Sequence, residues 1–187
     1  MRPELQNLPE PNWFWHGEQI LALVEQHQPM VCVELGTNRG CSAIATARLL
    51  QRWGGTLRCI DVWESEPHGA SVSLADCRRN VDTAGVSDTI VLWQSRIDLA
   101  AREWCLPIDY LYIDADHTYE AVTSDLEDWW PHLKVGGLIT GDDYDDPYDP
   151  AHNVTRAWDA FEWRHGQAFE RTPTPGLVSR LIWGIKR

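Results

Sequence analysis

From Met30 onward, short apolar runs rich in β-branched residues alternate with longer stretches whose apolar positions recur every three to four residues. That rhythm predicts strands and helices laid down in turn. Val31 to Leu35 reads as a first strand, Cys41 to Trp53 as an Ala- and Leu-rich helix, and Thr56 to Asp61 as a second strand, with Gly54-Gly55 breaking the chain between them. A helix from about Ser73 to Ala84 stops at Gly85. Thr89 to Trp93 forms a third strand, and Ile97 to Trp104 a short helix that Pro107 ends. Ile108 to Ile113 is the fourth strand, followed by a helix over Tyr119 to Leu133 in which Ala121, Val122, Leu126, Trp129 and Trp130 share one stripe. Val135-Gly136-Gly137 then predicts a tight turn into a fifth strand, Gly137 to Gly141. The tail predicts a helix near Val154 to Arg164 and two closing strands, Ala168 to Arg171 and Leu177 to Ile185, paired antiparallel around Thr172-Pro173-Thr174-Pro175-Gly176. Before Gln28 the chain reads as one amphipathic helix behind an aromatic, Pro-rich lead that could cap a site or a neighbouring subunit.

Alternation of this kind makes an α/β fold around a mostly parallel sheet covered by helices on both faces, with an antiparallel hairpin at the C-terminal end. The length, 187 residues, suits one domain over 1–187. Acidic residues outnumber basic ones to a net charge of -12, which argues against nucleic acid or an anionic membrane as partner and for a small molecule. No secretory leader or membrane span is indicated. The five cysteines are scattered and include no C-x-x-C pair, which fits reduced thiols in a cytoplasm. The eleven tryptophans are read as core and interface fillers.

Ligands of an open parallel sheet bind outside the carboxyl ends of its strands. Here those ends carry Glu34, Asp61, Asp114, Asp116, Asp142 and Asp143. Gly36 permits a sharp turn after the first strand, and Gly40 a helix start close to a ligand. The segment Gly36-Thr37-Asn38-Arg39-Gly40 lacks the middle glycine that a dinucleotide's diphosphate requires. A cationic, phosphate-free donor such as S-adenosylmethionine suits the carboxylates better. Asp61 is placed to accept hydrogen bonds from two ribose hydroxyls.

Val33-Glu34-Leu35-Gly36-Thr37-Asn38-Arg39-Gly40-Cys41-Ser42 resembles the first motif of class I methyltransferases, in the form seen in catechol and caffeoyl-CoA O-methyltransferases. Tyr112 to Glu120, Asp125-Leu126 and Leu133 to Tyr144 are similar to the cephamycin- and macrolide-tailoring O-methyltransferases, so the likeness spans about Val31 to Tyr144 in order. It implies a Rossmann-like seven-stranded fold in which Glu34, Gly36 and Ser42 hold the methionine part of S-adenosylmethionine, Asp61 the ribose and Ser95 the adenine, with Asp114 also lining the cofactor. It further implies a divalent metal, Mg²⁺ by preference, held by Asp114, Asp142 and Asp143, where the catechol enzymes have Asn at the position of Asp143. His117 stands where the sugar-methylating relatives carry a base, and its neutral imidazole is expected to take the acceptor proton near neutral pH.

The expected reaction is methyl transfer to a hydroxyl of a small metabolite. The acceptor wall is sought in Trp13 to Trp15, Trp63 to Ser71 and Tyr144 to His152, and the exposed aromatic flanks make a homodimer an expectation. Two other readings stand beside it. A non-catalytic cofactor-binding or assembly module is motivated by the chain's brevity, and a nicotinamide-dependent reductase is disfavoured by the missing glycine and the acidic rim.

Overall fold

The computed structural model describes residues 2–12, 14–64, 72–171 and 180–187. Its strands are β1 (Val31–Leu35), β2 (Thr56–Asp61), β3 (Ile90–Gln94), β4 (Ile108–Ile113), β5 (Leu133–Gly141), β6 (Phe169–Arg171) and β7 (Ile182–Lys186). The helices between them are α1 (Gly17–His27), α2 (Cys41–Leu50), α3 (Leu74–Ala84), α4 (Ile97–Glu103), α5 (Tyr119–Trp129) and α6 (Asn153–His165). They build one seven-stranded sheet in the order β3-β2-β1-β4-β5-β7-β6. The first five strands run parallel, and β7 pairs antiparallel with both β5 and β6. This is the expected Rossmann-like arrangement.

Period-two alternation sorts the strand side chains between two cores. Cys32, Leu57, Cys59, Tyr110, Tyr112 and Leu138 face one side, where they pack with Ile20, Leu21 and Val24 of α1, the buried Ala and Leu residues of α2, and Cys77 and Val81 of α3. Val33, Leu35, Ile60, Leu111, Ile113 and Ile139 face the other, among Leu126 and Trp129 of α5 and Trp158 and Phe161 of α6. Trp129, Trp158 and Phe161 are fully buried, so truncating any of them to Ala should cost about 3–5 kcal/mol. Most described tryptophans are such fillers; Trp15 and Trp163 are exposed.

Local chemistry sets the helix ends. Ser73 caps α3 by accepting from the Asp76 N–H while the Asp76 carboxylate accepts from the Ser73 N–H, a reciprocal capping box. Thr118 caps α5 by accepting from the Ala121 N–H at 3.3 Å. Two expectations need correction. The α5 stripe does not continue to Leu133: α5 ends at Trp129, and Pro131 falls in a short 3-10 turn over Trp130–His132. Val135-Gly136-Gly137 is not a turn between elements but a bulge inside β5, where pairing jumps from Ile108↔Leu133 to Tyr110↔Leu138. The predicted hairpin segment 172–179 lies outside the described residues, while its flanks do pair antiparallel. Among the described residues no helix is long and apolar enough to cross a membrane.

Candidate active site

Parallel strands deliver their C-terminal ends to one edge, where β1, β4 and β5 are neighbours. Glu34 lies in β1, Asp114 directly follows β4, and Asp142 directly follows β5. The ladder extends past the strands: the Asp114 N–H donates to the Leu35 carbonyl at 2.9 Å and the Asp142 N–H to the Ile113 carbonyl at 3.1 Å. The loop residues are thus held by the sheet itself. Gly36 locks the first loop against the fourth, because its φ is +82° and a Cβ there would lie 2.0 Å from the Asp114 carbonyl oxygen. No other residue fits that approach. These loops border a cavity of about 460 Å³ lined by Gly36 and Ser42 on one side and by Asp114, His117, Asp142 and Asp143 on the other.

On the Gly36 side the carboxylates have partners in the fold, while Thr37 Oγ1 and Asn38 Oδ1 are buried without a hydrogen-bond partner. Ser42 Oγ donates to Glu34 Oε1 at 2.9 Å, and Glu34, only 1% exposed, is one layer behind the cavity wall. Burial pushes its carboxyl up to about 8, partly offset by the Ser42 hydrogen bond. Asp61 Oδ2 accepts from the Thr37 and Asn38 N–H groups at 2.9 and 2.8 Å, and Oδ1 from the Trp63 N–H at 2.8 Å. Its carboxylate therefore shapes the first-motif turn. Ser95 donates its N–H to the Asp61 carbonyl at 3.0 Å and its Oγ to the Arg96 carbonyl at 3.0 Å. Neither Asp61 nor Ser95 is among the described residues lining the cavity.

The opposite side is crowded with like charge. Asp114, His117 and Asp143 bring one possible ligand atom each within 4.8 Å of one another. His117 Nδ1 lies 3.1 Å from Asp143 Oδ2 and Nε2 lies 3.7 Å from Asp114 Oδ1. The Asp114 carboxylate above all, with the charges of Asp143 and Asp142, pushes the imidazole up to about 9 although the ring is 47% exposed. These carboxylates favour the protonated ring, so a neutral base here requires that they be drawn to another cation. Asp142 is buried at 9% exposure, and burial, with Asp114 and Asp143 nearby, pushes its carboxyl up to about 8. The Tyr112 hydroxyl lies 3.0 Å from Asp114 Oδ2 and 3.3 Å from Asp142 Oδ2, so its one proton serves both. Oxygen-rich donors with surplus negative charge fit a divalent cation. Asp143 is set apart, because an Arg180 NH2 group donates to Asp143 Oδ1 and, at 2.8 Å, to Asp146 Oδ2. The extra negative charge that distinguishes this position from Asn is matched by a guanidinium.

A family model described as a methyltransferase domain matches residues 33–144, well over half of the chain. The chain belongs to this methyltransferase family. Solved structures agree on the fold. The methyltransferase superposes on an O-methyltransferase from Bacillus cereus in complex with S-adenosylhomocysteine with a TM-score of 0.74 at 20% identity, covering 96% of this chain and 85% of that one. A candidate O-methyltransferase from Klebsiella pneumoniae gives 0.70 at 22% identity, covering 100% and 90%. TomG, a Streptomyces achromogenes O-methyltransferase involved in tomaymycin synthesis and solved with S-adenosylmethionine, gives 0.64 at 17%, covering 91% and 79%. These likenesses show that this methyltransferase shares the fold of those proteins.

Of the segments predicted to build the acceptor wall, Trp15, Asp146 and Tyr148 do line the cavity, while Trp13 and residues 65–71 lie outside the described residues. Sequence reasoning missed three residues of the methyltransferase's site. Tyr112 was legible, since it stands two positions before Asp114 on the same face of β4. Arg180 and His16 were not: each comes from a segment with no periodic signal and reaches the site only through the tertiary fold.

Proposed function

We propose that this methyltransferase transfers a methyl group from S-adenosylmethionine to a hydroxyl oxygen of a small metabolite, assisted by a divalent metal held among Asp114, Asp142 and Asp143. The observation that carries the reading is the convergence of these carboxylates and His117 on the wall facing Gly36 and Ser42 across one cavity. Gly36 and Ser42 border the place of the methionine part, and Glu34 behind them answers its ammonium group, a cation that would draw the buried carboxyl into its ionised form. Asp61 and Ser95 are assigned to the nucleoside, Asp61 with its turn already fixed. S-adenosylmethionine supplies the methyl group on a sulfonium, and the metal would supply Lewis acidity that lowers the acceptor hydroxyl's pKa.

His117 is the proposed base. It loses its own proton once Asp114 and Asp143 serve another cation, and its ring nitrogen then accepts the hydroxyl proton as the oxygen attacks the methyl carbon and the carbon–sulfur bond breaks. Rate derives mainly from holding the two reactants in line. Aromatic side chains at the rim, Trp15 and Tyr148, offer apolar surface to the acceptor. The free thiols of the described cysteines suit a reducing cytoplasm.

Calorimetry with S-adenosylhomocysteine, with and without Mg²⁺ or Mn²⁺, tests the assignment, and no binding by folded protein would defeat it. In a screen of hydroxylated metabolites, His117→Ala should keep cofactor affinity and lose turnover by about 10²–10⁴-fold. Undiminished turnover would remove His117 as the base.

A further inference from the structure

His16 reaches this site from the N-terminal lead rather than from a loop at a strand's carboxyl end. It occupies the N-cap position of α1, and its ring makes no capping hydrogen bond. Its Nε2 is buried with no hydrogen-bond partner and lies 3.8 Å from Asp142 Oδ1, beyond hydrogen-bond range. A buried polar atom without a partner costs about 1–3 kcal/mol, so an arrangement that keeps one calls for a reason. The placement is well supported. Phe14 stacks edge-on against Tyr112 with ring centroids 6.3 Å apart, and Gly17 admits the lead so closely that a Cβ there would lie 2.5 Å from Leu5 and 2.9 Å from Phe14.

Asp142 has its remaining capacity on the same side. Its Oδ2 is shared with the Tyr112 hydroxyl and its Oδ1 accepts the Asp143 N–H at 2.9 Å, leaving further lone-pair capacity on Oδ1 toward His16. Asp143, by contrast, has Oδ1 engaged by Arg180 and Oδ2 by His117. A nitrogen and an oxygen bound side by side on one ion at ligand distances near 2.1 Å lie roughly 3–4 Å apart, and the His16–Asp142 separation of 3.8 Å falls in that range. We propose that His16 Nε2 is a further direct ligand of the divalent cation at Asp142, so that the N-terminal lead adds to the metal centre of Asp114, Asp142 and Asp143. An imidazole in the set shifts preference from Mg²⁺ toward a first-row transition ion such as Mn²⁺ or Co²⁺. This inference rests on the metal-assisted reading above.

The test is Mn²⁺ binding to the full chain, followed by titration and by pulsed electron paramagnetic resonance of the bound ion in the wild type and His16→Gln. The expected result is a directly bound nitrogen in the wild type that is lost in His16→Gln, with Mn²⁺ affinity falling by at least the roughly 10–100-fold that even a supporting residue costs. S-adenosylhomocysteine binding by His16→Gln reports that the variant is folded. Should it not fold, His117→Gln decides: the nitrogen signal should survive in it, and its loss would assign the nitrogen to His117 and overturn the proposal. A wild-type Mn²⁺ site with no nitrogen coupling, or one unchanged in His16→Gln, overturns the proposal and leaves metal-assisted transfer standing. No Mn²⁺ binding at all overturns both.

Discussion

The two walls of the cavity are built to different standards. On the Gly36 side, Asp61 accepts from three N–H groups and Glu34 is held by Ser42, so both carboxylates are partnered within the fold. Across the cavity, Asp114, Asp142 and Asp143 crowd together and are balanced only by His117, Arg180 and a shared tyrosine proton. The first wall has its carboxylates partnered within the fold. The second stores electrostatic repulsion that a bound cation would relieve.

The sharpest way to break this contrast is to strike where the walls meet. Gly36→Ala should destabilise the protein by roughly 3 kcal/mol or more and abolish S-adenosylhomocysteine binding, since a Cβ would press on the Asp114 carbonyl from a left-handed backbone. Thermal melts with and without ligand would show it, and a normal melting temperature would mean that the two loops are separable.

A smaller effect separates the walls by proton linkage. Burial holds Glu34 at about 8, Asp142 at about 8 and Asp125, another buried carboxyl on α5, at about 7, while the Asp114 carboxylate above all holds His117 at about 9. In each case the native state keeps a proton that the unfolded chain has already released, so between pH 4.5 and 9 these groups make stability fall as pH rises. His16, lowered by burial, works weakly the other way below its ordinary value. Metal-free protein should therefore melt higher near pH 5 than near pH 8. Asp142→Asn should flatten the curve, raising the metal-free melting temperature at pH 8 by a few degrees, about 2–4 °C per kcal/mol. A flat wild-type profile would dissolve the idea of a repulsive wall. Smallest of all, Ser42→Ala removes one hydrogen bond from a carboxylate, about 1.5–3 kcal/mol if the ionised form is the one bound, and should weaken S-adenosylhomocysteine without touching metal affinity.

The walls also differ in how far the sequence revealed them. The first wall is local: Glu34, Gly36 and Ser42 sit within one strand–turn–helix unit, where spacing alone fixes their relation. The mostly parallel sheet was equally legible, because short strands alternating with longer helices imply parallel pairing through crossovers. The second wall assembles residues from β4, β5, the lead and the tail. The acidic ends of β4 and β5 could be read from the sequence, since strand ends are readable. The Arg180 pairing and the approach of His16 could not, because neither segment has a period to betray which way it turns. The upward shift of His117 was hidden for the same reason, being set by carboxylates from two loops. The bulge was taken for a turn because Gly-Gly after a β-branched residue serves both purposes.

That bulge has reach. Because side chains alternate along a strand, the three extra residues that separate Leu133 from Leu138 pairing swap inward for outward over everything downstream. They are why Thr140 meets the Tyr110 hydroxyl at 2.9 Å and why Asp142, two positions on, turns the same way toward Tyr112. Val135, at 76% exposed and at the far end of β5 from the cavity, looks like a harmless place to trim the chain. Shortening it by one residue would be an active-site mutation in disguise, sending Asp142 to the wrong face of the sheet.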